Sequence, residues 1–497
     1  MNKQKIIDFL GLTLKTGSIL AAAFYILICA FIIYNRISYP LELECGEGAM
    51  AQHAERVFEG KPIYAAPDIH FIANIYMPLY YYAGSIFFLV FGKGFFALRL
   101  LSVISTIAAL LALFLTCKKL TNSTYIAFIS VGMFFAAYDV CGSWFDLARV
   151  DMLFLCFILY GVYFALLPNK KHAPFLSSVM FALSFFTKQS VLPLIILLSI
   201  ISLFFEKSKN KFVFGLTSLI LCGTGVLLLH LTSGGWSTFY AFTIPNQHAL
   251  LTDPLRTFWT KDLFGHFPIL ILAGVFGLFY SIDSAYQKTK YFLIVIMLII
   301  ISFMGRIFSG GFVNALLPAI AAIILAFALG LKNLFSTPRH NYIMPLIYLL
   351  IIVQFGLLKY PIRHAMPSKQ QLATGVTCLR RFSQVNGNVF WSDHCYYLTL
   401  ASKPSQATQS AVFDVIHYSK DSTLIRQLSL QINDQFRQGF YDAVILDKGS
   451  SYLPYLHESD RYKLIDSNYF PQNVFTLNSR EQMPKYLYAK KSFIDPE

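Results

Sequence analysis

Acidic side chains are scarce in this sequence. There are 26 Asp and Glu against 40 Lys and Arg, and only 13% of the chain is charged. A soluble domain carries roughly 25% charged residues, so a string of soluble domains is excluded for most of the length. Signature loops are missing as well. No P-loop occurs, which leaves nucleotide-driven transport unsupported, and neither GxSxG nor HExxH appears. The eight cysteines form no CxxC pair and no Cys/His zinc spacing. Cys29, Cys117, Cys156 and Cys222 fall in or beside apolar runs, as small core thiols do. Cys378 and Cys395 lie in a polar tail, where a disulfide is open if that tail is outside the cytoplasm.

What is abundant is apolar. The chain is 56% hydrophobic, with 48 Phe and 29 Tyr, and its mean hydropathy is +0.56. A spanning helix needs about 20 mostly apolar residues. Such runs fall near 16–34, 97–117, 123–139, 151–167, 174–186, 190–205, 212–231, 267–282, 291–304, 313–331 and 341–357. The basic start MNKQKIIDFLGLTLKTG has no small-residue cleavage site after its apolar run, so the first span reads as a retained anchor. The net charge of +14 does not argue for nucleic acid, because many of the cations sit in short loops between spans.

Those cations orient the chain. If 78–94 (PLYYYAGSIFFLVFGKG) does not span, every second loop is basic: Lys118/Lys119, Lys170/Lys171, Lys207/Lys209/Lys211, Lys288/Lys290 and Lys332/Arg339. Lys and Arg mark cytoplasmic loops. The expectation is a polytopic α-helical membrane protein with about eleven transmembrane helices, N-terminus inside and C-terminus outside. Residues 1–358 would form the membrane domain, with a first outer loop at 36–96. Residues 359–497 would form a soluble extracytoplasmic α/β domain. Within it, NVFWSD and YDAVILDK read as buried strands and 419–438 as a helix.

Nearly all candidate chemistry then falls on one face. The first outer loop holds Glu42, Glu44 and Glu47 in LELECGEG. Glu42 and Glu44 share a face if extended, Glu44 and Glu47 if helical. They are solvated loop acids or else a general base or metal ligand. WFDLARVD brings Asp146, Arg149 and Asp151. Asp146 and Arg149 are spaced to pair on a helix, and Asp151 is placed to cap one. Ionisable groups at a membrane edge are costly and tend to be functional. Lys188 in FFTKQSVLP snorkels or binds phosphate as a point charge. His248 beside Asn246, Arg306 and Asn314 in GRIFSGGFVNALLP, and Tyr76 in IYMPLYYY complete the inventory. Several acids and several cations suit an amphiphilic substrate with an anionic head and a lipid tail.

The order of ECGEG, IYMPLYYY, FALRLLS, WFDLARVD, FFTKQ and GGFVNALLPA resembles the GT-C superfamily of integral-membrane glycosyltransferases. The nearest branch is that of the protein O-mannosyltransferases and the lipid A aminoarabinose transferase. The resemblance covers roughly residues 1–335. It implies transfer of a sugar from a polyprenyl-phosphate donor to a lipid, glycan or protein acceptor, on the outer face of a bacterial-type inner membrane. It also implies a first-loop acid as catalytic base, carried here by Glu47 with Glu44 as substitute and Asp146 as a further catalytic candidate. Many members have an Asp-Glu pair where this chain has Gly46-Glu47. Arg149 and Lys188 would contact the donor phosphate. From the residues themselves, Arg306 either joins them or marks the interface, Tyr76 is an interfacial anchor or else a substrate contact, and Asp151, His248 and Asn314 are further candidates for the substrate. Some relatives use a divalent ion and others none, so the metal is left open. A lipid flippase or transporter, or a membrane assembly protein, is the competing reading. A flippase predicts broken helices with polar residues near mid-membrane.

Overall fold

In a computed structural model, the described residues are 3–167, 171–205, 211–280, 283–336, 340–358, 362–468 and 484–491. Of the charges used for topology, Lys170, Lys207, Lys209 and Arg339 lie outside them.

The helices run α1 (Lys3–Ile37), α2 (Glu47–Phe58), α3 (Leu79–Phe91), α4 (Phe95–Thr121), α5 (Thr124–Ala136), α6 (Asp151–Ala165), α7 (Ala173–Thr187), α8 (Leu192–Phe205) and α9 (Lys211–Thr232). Two short turns, α10 (Trp236–Thr238) and α11 (Thr252–Thr257), precede α12 (Pro268–Phe279), α13 (Ala285–Ile307), α14 (Leu317–Phe335) and α15 (His340–Leu357). Each of the eleven expected spans corresponds to one of these helices. Among the described residues, five helices are long and apolar enough to cross a membrane by themselves. The segment Thr252–Phe264 meets Pro268–Phe279 at a bend of 89°, where the sequence suggested only a loop. α3 has 13 residues, about 20 Å at 1.5 Å per residue, and packs on α2 and the start of α4.

Burial follows from composition. α14 is apolar on every side and nearly all of it is buried, as expected of a helix at the centre of a bundle. Small residues let its neighbours approach: a Cβ on Gly277 of α12 would meet the Gly330 backbone at 2.3 Å. α1 is two-faced. Ala22, Tyr25, Cys29 and Ile32 are buried, while Phe24, Leu27 and Phe31 are exposed. Such an outward apolar face suits lipid.

The tail begins with α16 (Ile362–Ala365) and α17 (Lys369–Ser383), and continues through β1 (Val389–Phe390), α18 (Tyr396–Leu400), α19 (Gln409–Tyr418) and α20 (Ser422–Arg437). It ends with β2 (Ala443–Asp447), α21 (Leu453–Ser459), β3 (Tyr462–Asp466) and β4 (Pro484–Lys490). The sheet order is β1-β2-β4-β3, with β1 parallel to β2 and the other pairs antiparallel. Both expected strands and the expected helix are present. All eight cysteines are free thiols, so the Cys378–Cys395 disulfide does not form.

Among the described residues there are two apolar cores. One lies within the helix bundle. The other joins the first loop to the tail, with Leu41, Leu43, Met50, Ile72 and Tyr81 packed in one cluster with Trp391, Tyr397 and Val444. Backbone bonds stitch the seam, as in Ala407 N–H to Ile69 O at 2.9 Å. α4 starts at this seam, where Phe95 packs edge-on against Tyr396, and ends at Lys118 and Lys119. Its 27 residues span about 40 Å, so those lysines lie at the opposite end of the bundle.

Candidate active site

The segment from Tyr39 to Gly46 does not continue α1. It turns, and α2 begins at Glu47. This geometry separates the three loop acids. The carboxylate of Glu47 is fully buried and forms a salt bridge with Arg99 of α4 at 2.5 Å. Its Oε1 accepts from Arg99 Nε and from the Ala148 N–H, each at 2.8 Å. Its Oε2 also accepts from the Leu43 N–H at 2.6 Å. Burial alone would raise the Glu47 pKa, but Arg99 and the two backbone donors outweigh it and hold the group below the usual carboxylate range. Glu47 therefore ties the loop to α4 and to the segment before α6.

Asp146 has a similar setting. It faces Arg36, the last-turn cation of α1, at 3.0 Å with both side chains fully buried, and it accepts from the Tyr138 hydroxyl at 3.0 Å. The expected helical pairing of Asp146 with Arg149 does not occur. Residues 137–150 are turns and bends, so an i,i+3 spacing there does not place side chains on one face. Asp151 does not cap its helix either. It is the first residue of α6, behind an N-cap at Val150 that makes no side-chain bond.

Glu44 turns another way. Its Oε2 lies 3.3 Å from Arg149 Nη1 and accepts from the Gly46 N–H at 2.9 Å. Arg149 also reaches the Tyr76 hydroxyl at 3.5 Å and lies over the Trp144 ring. Its Nε is buried with no partner among the described residues. Alongside, Lys188 Nζ is 3.0 Å from Asp151 Oδ1 and sits over the Tyr76 ring. Trp144 Nε1 donates to Asp151 Oδ2 at 2.9 Å, and Asn314 bonds the same carboxylate. Lys188 occupies an extended break between α7 and α8. Gln189 pins that break by donating to the carbonyls of Ile75 and Ala241.

Six of the ten candidates thus converge: Glu44, Tyr76, Arg149, Asp151, Lys188 and Asn314. Exposure distinguishes this group from the structural pairs. The side chains of Arg149 and Lys188 are 14% and 20% exposed, whereas those of Arg36 and Arg99 are 0%. The other two candidates are engaged elsewhere. Arg306 pairs with Asp262 at 3.0 Å, beside the bent segment. His248 contacts the Ser309 carbonyl at 2.9 Å and Asp414 of α19 at 3.4 Å.

Among the described residues no group of three or more His, Cys, Asp or Glu side chains is arranged to hold a metal ion. Within the cluster, Glu44 and Asp151 each face a cation.

The residues that sequence reasoning missed are Arg36 and Arg99. Each is a cation at the end of, or inside, an apolar span, and such a charge needs a partner. That signal was present, although the partners are 110 and 52 positions away in the sequence.

The chain is a multi-pass membrane protein, and its helices and small tail sheet form a GT-C-like fold. Residues 76–236 match the family described as dolichyl-phosphate-mannose-protein mannosyltransferase. The structure resembles ArnT from Cupriavidus metallidurans bound to undecaprenyl phosphate, with a TM-score of 0.60 at 11% identity over 94% of this chain and 97% of that one. The apo form of the same protein matches at TM-score 0.48, 10% identity and the same coverage. The Archaeoglobus fulgidus oligosaccharyltransferase in complex with Zn and sulfate matches at 0.48 and 13%, over 96% of this chain and 74% of that one. Among curated proteins no sequence matches significantly.

Proposed function

We propose that the chain transfers a sugar from a polyprenyl monophosphate to an acceptor hydroxyl or amine on the outer face of a bacterial-type inner membrane. The observation that carries this reading is the meeting of Glu44, Arg149, Tyr76, Lys188, Asp151 and Asn314, supplied by separate segments of the chain.

The cations have a physical role in such a reaction. Arg149 and Lys188 balance Glu44 and Asp151 at rest. A donor phosphate entering between them draws both cations toward itself, since charge-assisted bonds to phosphate are strong. The orphaned Arg149 Nε supplies one further donor. Glu44 then loses part of its counter-charge and becomes the better base. The acceptor attacks the anomeric carbon, the bond to the phosphate oxygen breaks, and the acceptor proton passes to Glu44. The polyprenyl phosphate departs against Arg149 and Lys188, which stabilise its growing charge. The base role moves in this reading from Glu47, whose oxygens are fully engaged, to Glu44. Asp146 becomes a structural partner of Arg36.

The lipid tail of the donor has a place to lie. α8 begins one helical turn beyond Lys188. Leu192, Pro193, Ile196, Leu197 and Ile200 on that helix, with Met297 of α13, line an apolar groove of about 360 Å³. The relative bound to undecaprenyl phosphate agrees with a donor of this class.

The deciding experiment is turnover of radiolabelled polyprenyl-phosphate sugars by the reconstituted protein. Wild type should transfer label, and Glu44→Gln should lower the rate by about 10²–10⁴-fold, the usual contribution of a general base. Full activity of Glu44→Gln would sink the assignment. Movement of the lipid across the bilayer without transfer would favour a flippase.

A further inference from the structure

The Glu44 loop is held from its other side by the C-terminal domain, through a contact that the proposed chemistry does not use. Glu42 is fully buried. Its Oε2 lies 2.5 Å from His394 Nδ1, a residue 352 positions away. The Nε2 of the same ring lies 3.3 Å from Asp447 Oδ2, at the end of β2. The Glu42 N–H donates to the Tyr397 hydroxyl at 2.9 Å. The fit is close: a Cβ on Gly48 would meet Glu42 Oε1 at 2.2 Å and the Tyr396 Cβ at 3.1 Å. We propose that His394 and Asp447 are positioning residues for the Glu44 loop, and that one proton on the Glu42–His394–Asp447 relay keeps the loop docked and lets it go as pH rises.

A neutral imidazole has one N–H, but both ring nitrogens of His394 face carboxylate oxygens. Only the imidazolium donates to both. Burial opposes that charge, yet Asp447 and Glu42 outweigh it and raise the His394 pKa well above its ordinary value. Burial pushes Glu42 up to about 7 against the pull of His394, and Glu44 and Glu47 push in the same direction.

Among the described residues, the nearby cations are committed to other partners. Asp393 accepts from the Asp447 N–H and from Ser450, and burial together with Asp447 raises its pKa. Cys395 and Tyr397 from the domain also face Glu42. On the far side, Arg99 is committed to Glu47 and to the Tyr39 and Leu41 carbonyls, and Arg149 to Glu44. Once His394 loses its proton, buried carboxylates face a lone pair with no cation between them, which is costly.

The sign follows from linkage. Glu42 and His394 both bind protons more tightly when docked than when free. Their contribution is therefore full below the free values and is lost as pH rises through the raised ones. The loop is docked at acidic and neutral pH and loosens at alkaline pH. The consequence for catalysis rests on the reading of Glu44 as base, but the tether itself does not.

The test is hydrogen exchange of the 39–48 segment in the full-length protein in lipid nanodiscs, corrected for the chemical exchange rate, at about pH 6 and about pH 9, on either side of an ordinary imidazole pKa. Wild type should be protected at the lower pH and lose protection at the higher one. His394→Gln should exchange at least about tenfold faster already at the lower pH, the factor that 1.4 kcal/mol represents, and should retain only the pH dependence that Glu42 contributes. Asp447→Asn removes one charge with little change of shape, and it decides the matter if His394→Gln fails to fold. Wild-type protection and pH profile in Asp447→Asn and in any folded His394→Gln would overturn the tether. A released loop in these variants combined with full transfer by Glu44→Gln would keep the tether and reject the catalytic reading. The opposite pair of results would do the reverse.

Discussion

The guanidinium of Arg149 lies where a side chain on residue 46 would begin: a Cβ on Gly46 would fall 1.5 Å from Arg149 Nη1 and 3.1 Å from Glu44 Oε2. The glycine that stands in place of an acid is therefore what lets Arg149 cross the loop and reach Glu44. The backbone at Gly46 is ordinary, with φ −89°, so a side chain is resisted only by its neighbours.

Gly46→Ala should thus fold and still impair function. Arg149 must swing away, and a displacement of about 1 Å at a reacting centre can cost 10²-fold. A transfer rate lowered by about that factor, with an unchanged melting temperature, is the expected result. A variant with wild-type turnover would mean that the Arg149–Glu44 contact has no part in the chemistry.

The two closed ion pairs should behave in the opposite way. Glu47→Gln strands Arg99, and Asp146→Asn strands Arg36, each in a fully buried setting. Breaking a buried pair from one side costs about 3–5 kcal/mol. Thermal melts in detergent should show both variants strongly destabilised, while Glu44→Gln melts close to wild type.

Donor affinity should depend on the two partly exposed cations. Hydrogen bonds to charged groups contribute about 1.5–3 kcal/mol, so Lys188→Ala should weaken binding of a polyprenyl phosphate by about 10- to 100-fold. Arg149→Lys should fail to restore the wild-type value, because a point charge does not replace a planar fork. Equal affinity of all three proteins by calorimetry would remove these residues from the phosphate site.

The groove on α8 makes a separate test. Ile196 is 52% exposed, and Ile196→Trp fills the groove from its wall. One displaced isoprene unit forfeits several methylene transfers of about 0.8 kcal/mol each. The KM for a long-chain donor should then rise at least about tenfold, while a donor with a truncated lipid should be unaffected. A rise for both would point to damage at the cluster itself.

Much of the architecture was legible in the sequence because membrane helices are written locally. Each of the eleven apolar runs became a helix, since an apolar segment in lipid must satisfy its own backbone bonds. NVFWSD and YDAVILDK read correctly as strands for a similar reason: short apolar runs between polar ends suit a buried sheet. The candidate site was legible as a set of residues. Scarce acids and cations at span ends stand out against an apolar background, and six of the ten converge.

What the sequence alone determined was the helical bundle, its mixed α/β tail and the stock of charged residues from which a site is made. Which charge meets which was decided only by the tertiary structure. Glu44 and Glu47 are three residues apart, yet a turn before α2 sends one to Arg149 and the other to Arg99. Asp146 and Arg149 share a helical spacing, but their segment is not helical, so Asp146 meets Arg36 instead. Glu42 meets His394 across 352 positions. Ion pairing depends on distance in space and on burial, and neither can be read from spacing once the chain leaves regular structure.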